Sequence, residues 1–163
     1  MRRFCPSCWA ENEPRATVCA ACGATLDETG KDFVAKMIDA VGHPEPTRAG
    51  IAIEVLGQRL REPRAVDALI ARLKRRGDYM EITADAARAL GAIGDRRAVP
   101  ALIELLADPD RALVARIAAA EALGTLDDPG ASHALKAALA ASGLPYRLRE
   151  AIQQVLAQRD GGS

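Results

Sequence analysis

Four cysteines carry the chemistry this sequence specifies by spacing alone: Cys5-Pro6-Ser7-Cys8 and Cys19-Ala20-Ala21-Cys22. Each Cys-x-x-Cys pair places two thiolates on one tight turn. Two such turns facing each other form the tetrahedral sulfur cage that Zn2+ prefers, with Zn–S near ~2.3 Å. The ten intervening residues are the length of a short hairpin that brings the turns together. Gly23 follows the second pair, where a positive φ turns backbone N–H groups toward the sulfurs. Trp9 stands at the equivalent place after the first pair, a departure from the glycine pattern. Four protein ligands close the shell, so the expected ion is structural and leaves no position for a catalytic water. Iron fits the same four sulfurs. A redox pair belongs at a strand–helix junction of a βαβ unit, and none is readable here. Disulfides are disfavoured in a reducing compartment.

The first 26 residues resemble the short zinc ribbons of bacterial proteins that begin in a Cys-Pro-x-Cys knuckle and end in Cys-x-x-Cys-Gly. The resemblance implies a fold and a metal, and such ribbons serve as binding or assembly elements. Phe4, Trp9, Val18 and Leu26 are the expected apolar backing. A segment this short cannot bury enough surface to fold alone.

Positioning falls to the rest of the chain. Asp27-Glu28-Thr29-Gly30 is polar and turn-like. Phe33, Val34, Met37, Ile38 and Val41 then take the 3–4 spacing of one helical face, ended by Gly42-His43-Pro44. Beyond it the chain repeats. Ala65-Val66-Asp67-Ala68-Leu69-Ile70, Ala98-Val99-Pro100-Ala101-Leu102-Ile103 and Ala131-Ser132-His133-Ala134-Leu135-Lys136 are offset by 33 residues. Before each stands an apolar–Gly pair, Leu56-Gly57, Leu90-Gly91 and Leu123-Gly124, read as the end of another helix. The first pair is followed by one extra turn residue. Such a period means a helical solenoid whose units bury their faces only against neighbours. In the middle unit Ala84, Ala87, Leu90 and Ile93 line the first helix, and Ala98, Leu102, Leu105 and Leu106 the second. Asp108-Pro109-Asp110 closes the unit and is expected to cap the next helix. Eight helices are expected, the last around Tyr146 to Gln158.

Residues Ala86 to Leu106, AARALGAIGDRRAVPALIELL, resemble the HEAT-like repeats of the phycobilin-lyase type. The resemblance covers about Pro46 to Ala157 and implies an all-α fold: a right-handed α-α superhelix carrying a small N-terminal zinc ribbon. The expected boundaries are residues 1–28 for the ribbon, 29–45 for a linker and leading helix, 46–159 for the repeats, and 160–163 for a disordered tail. Members of that family include chromophore lyases, their chaperones, a di-iron hydroxylase and bare scaffolds. The hydroxylase relatives hold iron through His-Glu pairs; His43 precedes Pro44 and His133 precedes Ala134, so no such pair exists here.

Composition narrows the function. Aromatic residues are 3% of the chain, so the core is built from Ala, Leu, Ile and Val. Lys plus Arg and Asp plus Glu are both 22, without the basic excess usual for phosphate-bound proteins. Zero net charge offers little resistance to self-association, so a homo-oligomer stays open. No apolar run is long enough for a membrane span, and the basic start lacks a signal peptide's apolar stretch, which points to the cytoplasm. No Ser/His/Asp arrangement, Walker loop or dinucleotide glycine motif is present. The expected function is therefore a non-catalytic adaptor or scaffold that binds another protein. Its candidate surface combines a basic first hairpin (Arg59, Arg61, Arg64, Arg72, Lys74, Arg75, Arg76) with Asp67, Glu104 and Lys136 on second helices. The alternatives are nucleic-acid binding through the ribbon and that hairpin, and, by resemblance alone, a bilin lyase or chaperone.

Overall fold

The computed structural model describes residues 3–161. Met1, Arg2 and the last two residues of the expected tail, 162–163, lie outside the described residues. The chain folds as a miniature two-hairpin ribbon followed by eight α-helices. In the ribbon, β1 (Arg3–Phe4) pairs antiparallel with β2 (Glu11–Asn12), and Val18 bridges to Thr25. Arg3 ties the two hairpins by donating to the carbonyls of Ala16 and Leu26.

The helices are α1 (Phe33–Val41), α2 (Pro46–Glu54), α3 (Val66–Leu73), α4 (Met80–Ile93), α5 (Val99–Ala107), α6 (Leu113–Thr125), α7 (Pro129–Ala140) and α8 (Tyr146–Asp160). They form two layers. Even-numbered helices stack α2 on α4 on α6 on α8, and odd-numbered helices stack α1, α3, α5 and α7 beside them. Each unit's apolar face is covered by its neighbours, giving one continuous Ala/Leu/Val/Ile core from Val41 to Val155. No helix among the described residues is long and apolar enough to cross a membrane.

Local chemistry explains the helix ends. Asp32, Glu45 and Asp128 accept from the first backbone N–H groups of α1, α2 and α7. Gly94 closes α4 with φ of 80°, a left-handed position that suits glycine. Asp110, in contrast, does not cap α6. That helix starts at Leu113 without a side-chain cap, and Asp108 instead accepts from Asp110 N at 3.0 Å in a tight turn. Phe33 is also off the expected apolar stripe, because the first turn of α1 leaves it 60% exposed.

Only the third Leu-Gly pair falls at a helix end as expected, in the last turn of α6; Leu90-Gly91 lies inside α4, and Leu56-Gly57 lies in a π-turn that continues α2. All three glycines mark where stacked helices touch. A Cβ on Gly57 would fall 2.3 Å from Ala89 Cβ and 2.6 Å from its Cα; one on Gly91 would fall 2.8 Å from Ala122 Cα. The extra residue after the first pair is absorbed as a π-turn over Val55–Arg59, closed by Leu60 N donating to Val55 O at 3.0 Å. Arg61 completes the adjustment with φ of 48°. Gly57 offers a direct test of this packing. Alanine ordinarily stabilises a helix over glycine by about 1 kcal/mol, but here overpacking against backbone costs about 1–3 kcal/mol. Gly57→Ala is expected to lower the melting temperature. The atoms nearest a Cβ on Gly124 all belong to the Val155 side chain, which can turn aside, so Gly124→Ala is expected to lower it less. A Gly57→Ala protein as stable as the parent would show that the layers are not so closely packed.

Candidate functional site

The ribbon brings all four cysteines together. Their sulfurs lie within 4.8 Å of one another, with Cys5 Sγ 3.6 Å from Cys22 Sγ and Cys8 Sγ 3.6 Å from Cys19 Sγ. A tetrahedron with Zn–S of about 2.3 Å has S···S edges of about 3.8 Å, so the cage has the right size. The two knuckles are copies of one device. Trp9 N donates to Cys5 O at 2.8 Å and Gly23 N to Cys19 O at 2.9 Å; Cys5 N donates to Ala10 O at 3.0 Å and Cys19 N to Ala24 O at 2.8 Å. Trp9 takes φ of 61° where Gly23 takes 75°. The first knuckle therefore keeps the glycine geometry without the glycine, at a cost of about 1–2 kcal/mol for an L side chain.

Polar groups aim at the sulfurs as a thiolate cage requires. Ser7 N lies 3.4 Å from Cys5 Sγ. Asn12, 8% exposed, holds the two knuckles in register: its Nδ2 donates to Ala10 O at 2.8 Å and faces Cys19 Sγ at 3.6 Å, while its Oδ1 accepts from Ala20 N at 2.9 Å. Nothing in the cysteine spacing singled out Asn12; only its place opposite Arg3 in the strand pair reveals it. The Cys22 and Ala21 N–H groups hold the Cys19 thiol down to about 6 against its burial, with Asn12 adding to them. Burial pushes Cys5 up, but the N–H groups of Cys8 and Ser7 outweigh it and leave its pKa below the ordinary value. Cys8 behaves oppositely. The Ala10 N–H favours its thiolate, yet the sulfurs of Cys22, Cys19 and Cys5 push it up to about 12. Cys5 and Cys19 thus lean toward the thiolate and Cys8 away from it, and a cation among the sulfurs would favour the thiolate form of its ligands. The donor set, its size and its hydrogen bonds fit a metal ion.

The backing of the cage differs from expectation. Leu26 is fully buried, whereas Phe4 and Val18 are 42% and 55% exposed; Ala10, Ala16 and Ala24 fill in around Cys5, Cys19 and Leu26. Trp9 turns outward from the ribbon onto the solenoid. Its ring lies 4.3 Å from that of His43 at 53°. His43, buried in the α1–α2 turn, accepts from Glu45 N through Nδ1 at 2.9 Å, and burial with Arg48 nearby lowers its pKa.

The expected partner surface is only partly a surface. Arg72 is 2% exposed and is removed from it. Its Nη2 donates to Asp78 Oδ1 at 2.8 Å and its Nε to Oδ2, while Nη1 donates to Val41 O at 2.9 Å and His43 O at 2.7 Å. Such a guanidinium is a structural staple, with no donor group free for a partner. The remaining first-hairpin cations are largely compensated. Arg59 pairs with Glu54 at 2.9 Å, Arg64 with Asp32 and Glu62 at 3.1 and 3.3 Å, Lys74 with Glu104 at 3.6 Å, and Arg76 with Asp108 at 2.6 Å. Arg75 donates to Gly42 O at 3.1 Å, and Asp67 meets Arg97 at 3.3 Å. Arg61 and Lys136 remain exposed. The hairpin thus presents interleaved ion pairs rather than an open positive field.

A different surface stands out. Met80, Leu113 and Tyr146 are the first residues of α4, α6 and α8, recur every 33 residues, and are 51%, 36% and 76% exposed. They form an apolar row along one edge of the even-numbered layer. The period could have revealed them, since each occupies the same place in its repeat.

Comparison with known proteins agrees with this geometry. Residues 78–157 match the family model described as HEAT repeats. Over those residues the solenoid is HEAT-like. A phycocyanobilin lyase subunit alpha from Nostoc sp. (strain PCC 7120) is 47% identical over 75 residues, covering 43% of this chain and 26% of that protein. A chain of the complex of CpcE and CpcF of phycocyanin lyase, also from Nostoc sp. PCC 7120, superposes with a TM-score of 0.62 at 34% identity, over 80% of this chain and 54% of that one. The present chain thus spans about a quarter of the curated relative and about half of the solved one.

Proposed function

We propose that this protein is a non-catalytic, cytoplasmic adaptor that binds another protein along its HEAT solenoid and carries a structural Zn2+ ribbon at one end. The observation that carries this reading is the recurrent exposed row of Met80, Leu113 and Tyr146. Large apolar side chains repeated along one edge are costly to leave in water and are the residues that anchor protein interfaces. The solved relative supports it, since its structure is of a complex between two proteins. The ribbon fits the role as a module fixed beside the first repeat through Trp9 and His43.

Aspartate at these three positions tests the reading cleanly. Each is the first residue of its helix, where a negative side chain favours the macrodipole by about 0.3–1 kcal/mol. The Met80→Asp/Leu113→Asp/Tyr146→Asp protein is therefore expected to melt within a few degrees of the parent. Its capture of the partner recovered by the parent protein from nuclease-treated lysate should fall at least tenfold. Undiminished capture by the folded variant would reject this surface, and recovery of nucleic acid alone would reject the adaptor.

The 47% identity to a phycocyanobilin lyase subunit favours one second reading, that of a lyase-type subunit acting in bilin attachment. Incubation with phycocyanobilin and an acceptor apoprotein decides it. Covalent chromophore transfer that depends on this chain would replace the non-catalytic reading.

A further inference from the structure

An apolar groove of about 560 Å³ opens between α5 and α7 in the odd-numbered layer. Its walls are aliphatic: Ile103 and Leu106 on one side, Ala134, Ala137 and Ala138 on the other, closed at the end by Leu144. No Phe, Tyr or Trp and no carboxylate lines it. Two polar side chains do: His133, which is exposed, and Arg116, from α6, which is only 8% exposed.

Arg116 is the unusual member. A buried guanidinium ordinarily has a carboxylate partner, as Arg72 has in Asp78. Arg116 makes no ion pair among the described residues. Its Nε donates to Leu106 O at 2.9 Å, the last turn of α5. That bond fixes the side chain at the negative end of the α5 dipole and leaves the terminal nitrogens Nη1 and Nη2 uncommitted. The equivalent residue one repeat later, Arg149, donates to Leu139 O at 3.3 Å but is only half-buried.

We propose that this groove binds an aliphatic monocarboxylate, with the carboxylate on Nη1 and Nη2 of Arg116 and the chain lying between α5 and α7. Charge complementarity fixes the head group: one cation, its stem buried and its uncommitted terminal nitrogens open to the groove with no anion beside them, matches one negative charge, and the guanidinium fork matches a carboxylate bidentately. The walls fix the tail, since alanines and leucines offer an aliphatic chain contact but give a flat aromatic ligand little to stack on. The volume lies in the usual range for small-ligand sites. From Gly130 to Ala141 the groove runs about 16 Å, room for an acyl chain of about ten carbons.

Titration calorimetry of the whole 163-residue chain with sodium decanoate tests this, with 1-decanol and decyltrimethylammonium as controls. Decanoate is expected to bind one per chain and at least tenfold tighter than either control. Arg116→Gln should weaken decanoate at least tenfold and leave decanol unchanged. Ala137→Trp supplies a second test that spares the fold, because Ala137 is exposed on the groove wall; it should block decanoate while the melting temperature holds. Equal binding of decanoate and decanol would overturn the role of Arg116. Undetectable decanoate binding, or binding unaffected by Ala137→Trp, would overturn the site.

Discussion

Chelation of the ribbon's metal is expected to unfold about the first 26 residues and leave the solenoid standing. The ribbon's buried core is Cys5, Cys19 and Leu26, far too little to offset the chain entropy of ordering it, at about 1–2 kcal/mol per residue. Structural Zn2+ in comparable peptides supplies an apparent ~10–16 kcal/mol, so metal and fold should be lost together. The helices keep their own continuous core from Val41 to Val155. Trp9, the one tryptophan of the chain, reports the event because it leaves His43 for water. On adding a strong chelator, or in Cys19→Ser, its emission should shift to the red while far-UV helical ellipticity stays near the parent value. One zinc per chain should be released to a metallochromic indicator. The solenoid's melting temperature should fall by only a few degrees, the equivalent of about 1–3 kcal/mol for the uncovered Trp9 contact. Collapse of the helical signal together with the ribbon would show one cooperative unit. A protein without bound metal, its Trp9 emission indifferent to chelator, would remove the metal centre.

The residues that announced themselves in the sequence did so through short-range or periodic patterns. Two Cys-x-x-Cys turns declare a cage because ligand spacing along the chain is nearly the geometry of each knuckle. The 33-residue offset declares a solenoid because each unit repeats the same burial. What stayed hidden depends on partners far along the chain. Trp9 looked like a knuckle lacking its glycine; its left-handed φ and its contact with His43 involve a residue 34 positions away. Phe4 and Val18 read as backing, yet a ribbon of this size has no second layer in which to bury them. Gly57 and Gly91 read as helix terminators because a glycine after leucine suits a C-cap and close helix approach equally well. Only the 2.3–2.9 Å clearances to the next helix separate the two roles. Asn12 carried no signal beyond a polar residue between the cysteine pairs, since its function arises when Ala10, Cys19 and Ala20 converge on it.

Arg72 is the sharpest of these cases, and its replacement is expected to be the most damaging single change in the repeats. Read along the chain it is one cation in a run of seven. In the fold its guanidinium joins three segments: the α1–α2 turn through Val41 O and His43 O, α3 through its own backbone, and the loop before α4 through Asp78. Arg72→Leu keeps the aliphatic bulk but strands a carboxylate whose side chain is 8% exposed and removes the donors from two carbonyls. Breaking a buried pair by removing one partner costs about 3–5 kcal/mol, which for a solenoid of this size corresponds to a loss of about 10–20 °C in melting temperature. The double variant Arg72→Leu/Asp78→Leu should recover part of that loss, because the stranded charge is gone while the two carbonyls remain unpaired. The same substitution should also loosen the ribbon, since the turn held by Arg72 is the one on which Trp9 rests. Trp9 emission in Arg72→Leu is therefore expected to shift to the red below the global transition, a signature that a purely local cavity in α3 would not produce. A melting temperature within 3 °C of the parent would show that Arg72 is no more than a screened surface cation.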